Sequence, residues 1–385
     1  MDSKRRPRAR ELGIEVGMGS VGPFNAITDV PGVRVGYSTV IKGDGPLIVG
    51  EGPVRTGVTV IVPRTEEISE HPLFAGCHRL NGNGELTGLE WIRESGLLTS
   101  PIALTNTHSV GVVRDALVRR EIEARGTGKL FWSLPIVGET WDGCLNDING
   151  QHLGAEHVFG ALADASSGSV AEGNVGGGTG MVCHDFKGGT GTSSRVVAIG
   201  GERFTVGVIV QANHGARRNF VVNGAPVGRL VSEEVVPPPI LPELGSSPSG
   251  VGSIICVIAT DAPLLPIQLQ RVAQRAGFGI ARLGAFADHY SGDLFLAFST
   301  ANSGLPAMSY GTQDAARIPV EMLSLGEIDP IFEATVEATT EAILNAMLAA
   351  ETMIGRDGVT ATALDGDELV KILDRYGRRT LDITH

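Results

Sequence analysis

The stretch Pro237-Pro238-Pro239-Ile240-Leu241-Pro242-Glu243-Leu244-Gly245-Ser246-Ser247-Pro248-Ser249-Gly250-Val251-Gly252 runs directly into Ser253-Ile254-Ile255-Cys256-Val257-Ile258-Ala259-Thr260-Asp261. The first part is dense in Pro, Gly and Ser, which marks an exposed, weakly structured connection over 236–252. The second is a β-branched run that reads as a buried strand. A hydroxyl residue therefore opens a core strand with a glycine immediately before it. Glycine reaches backbone conformations closed to other residues, so the Ser253 hydroxyl can approach the Gly252 carbonyl. That is the local geometry of an N→O acyl shift, whose product is a new chain beginning with serine. Taken by itself, the junction also reads as a plain linker followed by a strand.

Working outward, the chain of 385 residues is long enough for a large core in one to three domains. Glycine makes up 53 residues, about twice the usual share, without a collagen period. The excess points to tight turns and close backbone approaches. A net charge of −12 argues against a nucleic-acid partner, which wants a basic footprint. Lys4, Arg5, Arg6, Arg8 and Arg10 cluster at the start, with no apolar stretch of the signal-peptide kind after them, and read as a frayed, solvated terminus. Cys77, Cys144, Cys183 and Cys256 are widely spaced. They suit buried thiols in a reducing compartment, hence a cytoplasmic protein. No run is apolar enough to span a membrane.

Strand-like runs recur at 33–41, 57–63, 194–199 and 203–211, with helical patterns at 110–124 and 155–165. After Ser253 the order is strand, helix near 266–276, strand 293–300, and a long helix from about Asp329 to Thr352 that starts Asp-Pro. Its residues Phe332, Val336, Thr340, Ile343, Ala346 and Met347 share one face. Strands and helices mixed without regular βαβ alternation suggest an α+β fold of layered sheets covered by helices.

The common catalytic signatures GxSxG, HExxH, the Walker loop and SxxK are absent. The runs Gly173–Gly180 and Gly188–Ser194 lack the strand–helix context of a phosphate loop and read as backbone turns. None of the nine histidines pairs with another at i,i+4, so neither a metal nor another cofactor is expected. What remains is polar residues where strands end. Gln211-Ala212-Asn213-His214-Gly215 closes one strand, Glu139-Thr140-Trp141-Asp142-Gly143 follows an apolar run, and Ser291-Gly292-Asp293 opens another.

Together with Gly252-Ser253, these segments resemble the DmpA-type family of self-cleaving aminopeptidases, which includes the L-aminopeptidase/D-amino-acid esterase and the β-peptidyl aminopeptidases. The likeness covers nearly the whole chain. It lies in Asn25–Gly36, Leu80–Glu85, Leu104–Gly111, Gly138–Gly143, Gly176–Met181, Lys187–Arg195, Gly252–Ile255, Ala259–Leu264 and Ser291–Phe295. It implies an αββα four-layer sandwich and cleavage between Gly252 and Ser253 into an α-fragment, 1–252, and a β-fragment, 253–385, that stay one folded unit. It also implies a Ser253 nucleophile, an oxyanion donor at Asn213, a second serine with its carboxylate at Ser291 and Asp293, and Glu139 facing the substrate's amino group. Substrates would be small peptides, amides or esters, and the cleaved α/β units would form a homo-oligomer. Family members carry tyrosine where this chain has Trp141. An indole only donates, so here Trp141 would wall the pocket. The related ornithine acetyltransferases share the fold and self-cleavage, which makes acyl transfer the alternative. Their nucleophile is threonine, against serine here.

Serine needs a base in reach. Cleavage would give Ser253 an α-amine whose ordinary pKa, about 7.7–8.0, suits that task. Ser291 with Asp293 offers a competing relay, and the residues alone do not select between them. Nor do they select among L-, D- and β-amino-acid substrates.

Overall fold

The computed structural model describes residues 5–247, 252–306, 310 and 316–380. Its strands are β1 (Arg34–Lys42), β2 (Val54–Val62), β3 (Leu73–Gly82), β4 (Leu97–Leu98), β5 (Ile102–Asn106), β6 (Ile136–Thr140), β7 (Val182–Cys183), β8 (Phe186–Lys187), β9 (Gly189–Ile199), β10 (Glu202–Asn213), β11 (Ser253–Thr260) and β12 (Gly292–Ser299). The helices are α1 (Leu89–Ser95), α2 (Val110–Arg125), α3 (Ala155–Asp164), α4 (Val227–Leu230), α5 (Pro266–Arg282), α6 (Asp329–Ala349) and α7 (Gly366–Tyr376). A six-stranded sheet has the order β4-β3-β12-β11-β10-β9 and a four-stranded sheet the order β1-β2-β5-β6. The sheets stack face to face. Helices α5 and α6 cover the outer face of the larger sheet, and α2 and α3 that of the smaller. The fold is α+β, an αββα sandwich, as expected.

Strand β11 shows why the sequence folds this way. Side chains alternate across a strand. Ile254, Cys256 and Ile258 enter the core under α5 and α6, whereas Ile255, Val257 and Ala259 enter the core between the sheets. Both faces are dry, so the strand reads as an unbroken apolar run. It pairs antiparallel with β10 and parallel with β12, which makes it central.

Three expectations change. The run Gly188–Ser194 is not a turn but mostly the first half of β9. A Cβ at Gly191 would lie 2.1 Å from the carbonyl oxygen of Ala342, so this glycine lets α6 lie directly on the sheet. Helix α6 is buried on nearly every side, not along one face. Its carboxylates Glu337 and Glu341 are paired with the buried Arg195, at 2.9 and 2.7 Å. The basic N-terminus is docked, not frayed. Arg8 meets Glu172 at 2.7 Å, Arg10 meets Glu341 at 3.1 Å, and Arg6 donates to the carbonyls of Ala350 and Leu364. Lys4 lies outside the described residues.

The Pro/Gly/Ser stretch is also tethered. Leu241 is buried, Glu243 pairs with Arg356 at 2.6 Å, and the Ser247 hydroxyl donates to Asp185 at 2.7 Å. Residues 248–251 lie outside the described residues. No described helix is long and apolar enough to cross a membrane.

Candidate active site

Register brings the strand-end residues together. Asn213 is the partner of Ser253 on one side, and Gly292 is its partner on the other. Ser253 shares the parity of Ile255 and Val257, and Asn213 that of Ile209, so both belong to the face between the sheets. On that face Gln211 donates to the Thr105 carbonyl and the Thr140 hydroxyl, each at 2.8 Å, tying β10 to the smaller sheet.

Gly252 is demanded by space. A Cβ there would lie 2.0 Å from the carbonyl oxygen of Asn213. A steric requirement thus joins the conformational argument made from sequence. The backbone N–H of Gly292 donates to the Ser253 hydroxyl oxygen at 3.1 Å and to the Gly252 carbonyl at 3.3 Å. One donor therefore touches both the Ser253 hydroxyl oxygen and the carbonyl of the residue before it. Gly292 is itself required, because a Cβ would meet the Asn83 carbonyl oxygen at 2.4 Å.

The Asn213 amide is fixed at both ends. Its Oδ1 accepts from the Val182 N–H at 2.7 Å and its Nδ2 donates to the Trp141 carbonyl at 3.0 Å. An amide nitrogen carries two hydrogens, so one remains to donate. The Ser291 hydroxyl donates to Asp293 Oδ1 at 2.7 Å. Burial pushes the Asp293 carboxyl up to about 6. A bulge between Asp293 and Leu294 interrupts the β12–β3 ladder at this point.

A cavity of about 370 Å³ opens beside these groups, lined by Glu139, Trp141, Gly252, Ser253, Thr107 and Tyr290 with the loop Asn83–Glu85. Glu139 is almost fully buried. Its Oε1 accepts from the Glu85 N–H at 2.9 Å and its Oε2 from the Thr107 hydroxyl. Burial raises its carboxyl above the usual range, which leaves it wanting a cation. Trp141 lines the same cavity. Asn213, Ser291 and Asp293 are buried next to Ser253 and Gly292 in the sheet but do not line the cavity.

Sequence reasoning missed the Gly292 N–H, Thr107, the Glu85 N–H and Tyr290. Ser291-Gly292-Asp293 held a signal for the first, since glycine between two polar residues at a strand start marks a close backbone approach. Thr107 reaches Glu139 from another strand end, through a contact that no local pattern encodes.

The sequence profile of peptidase family S58 matches residues 25–361. The β-peptidyl aminopeptidase BapA of Sphingosinicella microcystinivorans is 48% identical over 381 residues, covering 98% of this chain and 94% of that one. Its namesake from Sphingosinicella xenopeptidilytica is 43% identical over 378 residues, covering 97% and 92%. Among solved structures, a β-aminopeptidase from Burkholderia sp. matches with a TM-score of 0.89 and 52% identity, covering 97% of this chain and 100% of that one. The L-aminopeptidase D-Ala-esterase/amidase of Ochrobactrum anthropi, described as a prototype of the serine aminopeptidases with a variant Ntn hydrolase fold, matches with a TM-score of 0.88 and 43% identity over the same shares.

Proposed function

Because the chain belongs to peptidase family S58 and is an aminopeptidase with an N-terminal-nucleophile hydrolase fold, we propose that Ser253 carries both its maturation and its turnover. In maturation the Ser253 Oγ attacks the Gly252 carbonyl carbon. A C–O bond forms, the Gly252–Ser253 amide breaks, and the hydroxyl proton passes to the departing nitrogen. Water then hydrolyses the ester, leaving fragments 1–252 and 253–385. In turnover the same oxygen attacks the carbonyl of a substrate's first residue, expels the amine, and is freed by water. The carrying observation is the forked Gly292 N–H, which holds nucleophile and scissile carbonyl together.

Asn213 donates its remaining N–H to the oxyanion, and the Gly292 N–H is the second donor. Ser291 and Asp293 relay the proton. An α-amine cannot assist the cleavage that creates it, whereas the Ser291–Asp293 pair is already bonded in the uncleaved chain. Below about pH 6 Asp293 keeps its own proton and cannot accept another. The self-cleavage rate of refolded precursor should therefore rise with pH through that value, and Asp293→Asn should slow it at every pH. A rate flat from pH 5 to 8, with an unimpaired Asn variant, would remove Asp293 from the relay.

Glu139 receives the substrate's ammonium, which offsets its burial and selects free N-termini. Replacing a charged hydrogen-bond partner costs about 1.5–3 kcal/mol, so Glu139→Gln should lower kcat/KM for free-amine substrates by about 10–150-fold and leave processing intact. N-acetylated substrates should be refused. Equal hydrolysis of acetylated and free-amine substrates would turn the reading toward a general amidase.

The names of the Sphingosinicella and Burkholderia relatives support short peptides and amides with an N-terminal β-amino acid as substrates. A panel of L-, D- and β-aminoacyl p-nitroanilides tests this. The four free, buried cysteines support a cytoplasmic setting. Exposed Ile267 and Phe278 on α5 support assembly of cleaved units into a homo-oligomer.

A further inference from the structure

We propose that Cys183, His184 and His214 form a buried binding site for a thiophilic d10 cation, Cu⁺ or Zn²⁺. The histidines looked scattered in the sequence, yet the turn after β7 and the end of β10 bring two of them against a cysteine. One ligand atom from each residue lies within 4.8 Å of the other two. The Cys183 Sγ and His214 Nδ1 are 3.8 Å apart, close to the roughly 3.5 Å between sulfur and nitrogen in a tetrahedral site with bonds near 2.3 and 2.0 Å.

Three observations make this more than a chance cluster. The Nε2 atom of His184 is buried and has no hydrogen-bond partner among the described residues, an arrangement that costs free energy unless something fills it. His184 Nδ1 faces the Ala216 carbonyl oxygen at 3.3 Å. That carbonyl fixes the proton on Nδ1 and leaves the Nε2 lone pair free, the outer bond that metal-bound histidines use. The third is a backbone shaped around the imidazoles. The His184 N–H donates to the His214 carbonyl at 2.8 Å, His184 and Asp185 both take positive φ, and a Cβ at Gly215 would lie 2.4 Å from the His184 ring.

Burial lowers both imidazole pKa values, His184 to about 4, so both rings are neutral and able to ligate. The Cys183 thiol is pushed up to about 12 and must lose its proton to the medium as the metal–sulfur bond forms. The cation would clamp the two segments that flank the bond between the Val182 N–H and Asn213.

The test uses full-length protein produced with zinc or, under reductant, copper, and freed of loose ions by gel filtration. We expect about one ion per chain by elemental mass spectrometry, with the preferred metal showing which cation the site takes. A cobalt-substituted sample should show a thiolate charge-transfer band. Both signals should vanish in Cys183→Ala and in His214→Gln and persist in Cys144→Ala, with circular dichroism confirming that each variant is folded. Failure of the wild type to retain either metal would overturn the site, as would retention by both ligand variants. The wild-type arm does not depend on any variant folding.

Discussion

Replacing Ser253 by alanine should leave a single uncut chain of 385 residues with no measurable aminopeptidase activity. Loss of a nucleophile costs on the order of 10⁶-fold in kcat, and under the proposed function the same oxygen makes both acyl transfers. Denaturing mass spectrometry reads the first effect and p-nitroanilide release the second. The substitution should not disturb the fold, because among the described residues the lost hydroxyl oxygen accepts from the Gly292 N–H, which also bonds the Gly252 carbonyl. Ser253→Cys should retain some cleavage, since a thiol can make the corresponding N→S shift. Normal processing of the alanine variant would place the scissile bond elsewhere.

Asn213→Ala should lower kcat by about 10²–10³-fold with a smaller change in KM, the signature of a donor engaged mainly in the transition state. It should also lower Tm. The Val182 N–H and the Trp141 carbonyl lose their partner, and a buried group left unsatisfied costs about 1–3 kcal/mol. The two effects separate, because kcat at saturating substrate below the melting range reports only the first. A change confined to KM would make Asn213 a substrate-positioning group.

What the sequence revealed and concealed follows from the range of the forces involved. Strand β11 was legible because a strand buried on both faces needs a β-branched run, and Ile254–Ile258 supply one. The Asp329-Pro330 start of α6 was legible because capping is local. The burial of that helix on nearly every side was not, since Glu337 and Glu341 look like solvent residues until Arg195 and Arg10 arrive from far along the chain. Gly188–Ser194 misled because a glycine that admits a helix onto a sheet has the same letter as one that turns a loop. The site residues stood out through resemblance, but the Gly292 N–H and the Thr107 hydroxyl belong to register and to a contact between distant segments. The His184–His214 pairing depends on strand ends meeting, which spacing along the chain does not report.

The proposed cut at Gly252–Ser253 would fall at the start of a central strand, and that placement would change how the protein can refold. Strands β11 and β12 belong to the piece after the cut, and both their neighbours, β10 and β3, belong to the piece before it. The precursor folds as one molecule, with its two parts held at high effective concentration by the tether. An enzyme cleaved at this bond would have no tether. Once unfolded, it regains its middle strands only by an encounter of two separate peptides, at a rate that falls with dilution. Its persistence is then governed by how slowly it opens and not by an equilibrium it can return to. Cleavage at that bond would thus turn a one-chain folding problem into a two-chain one.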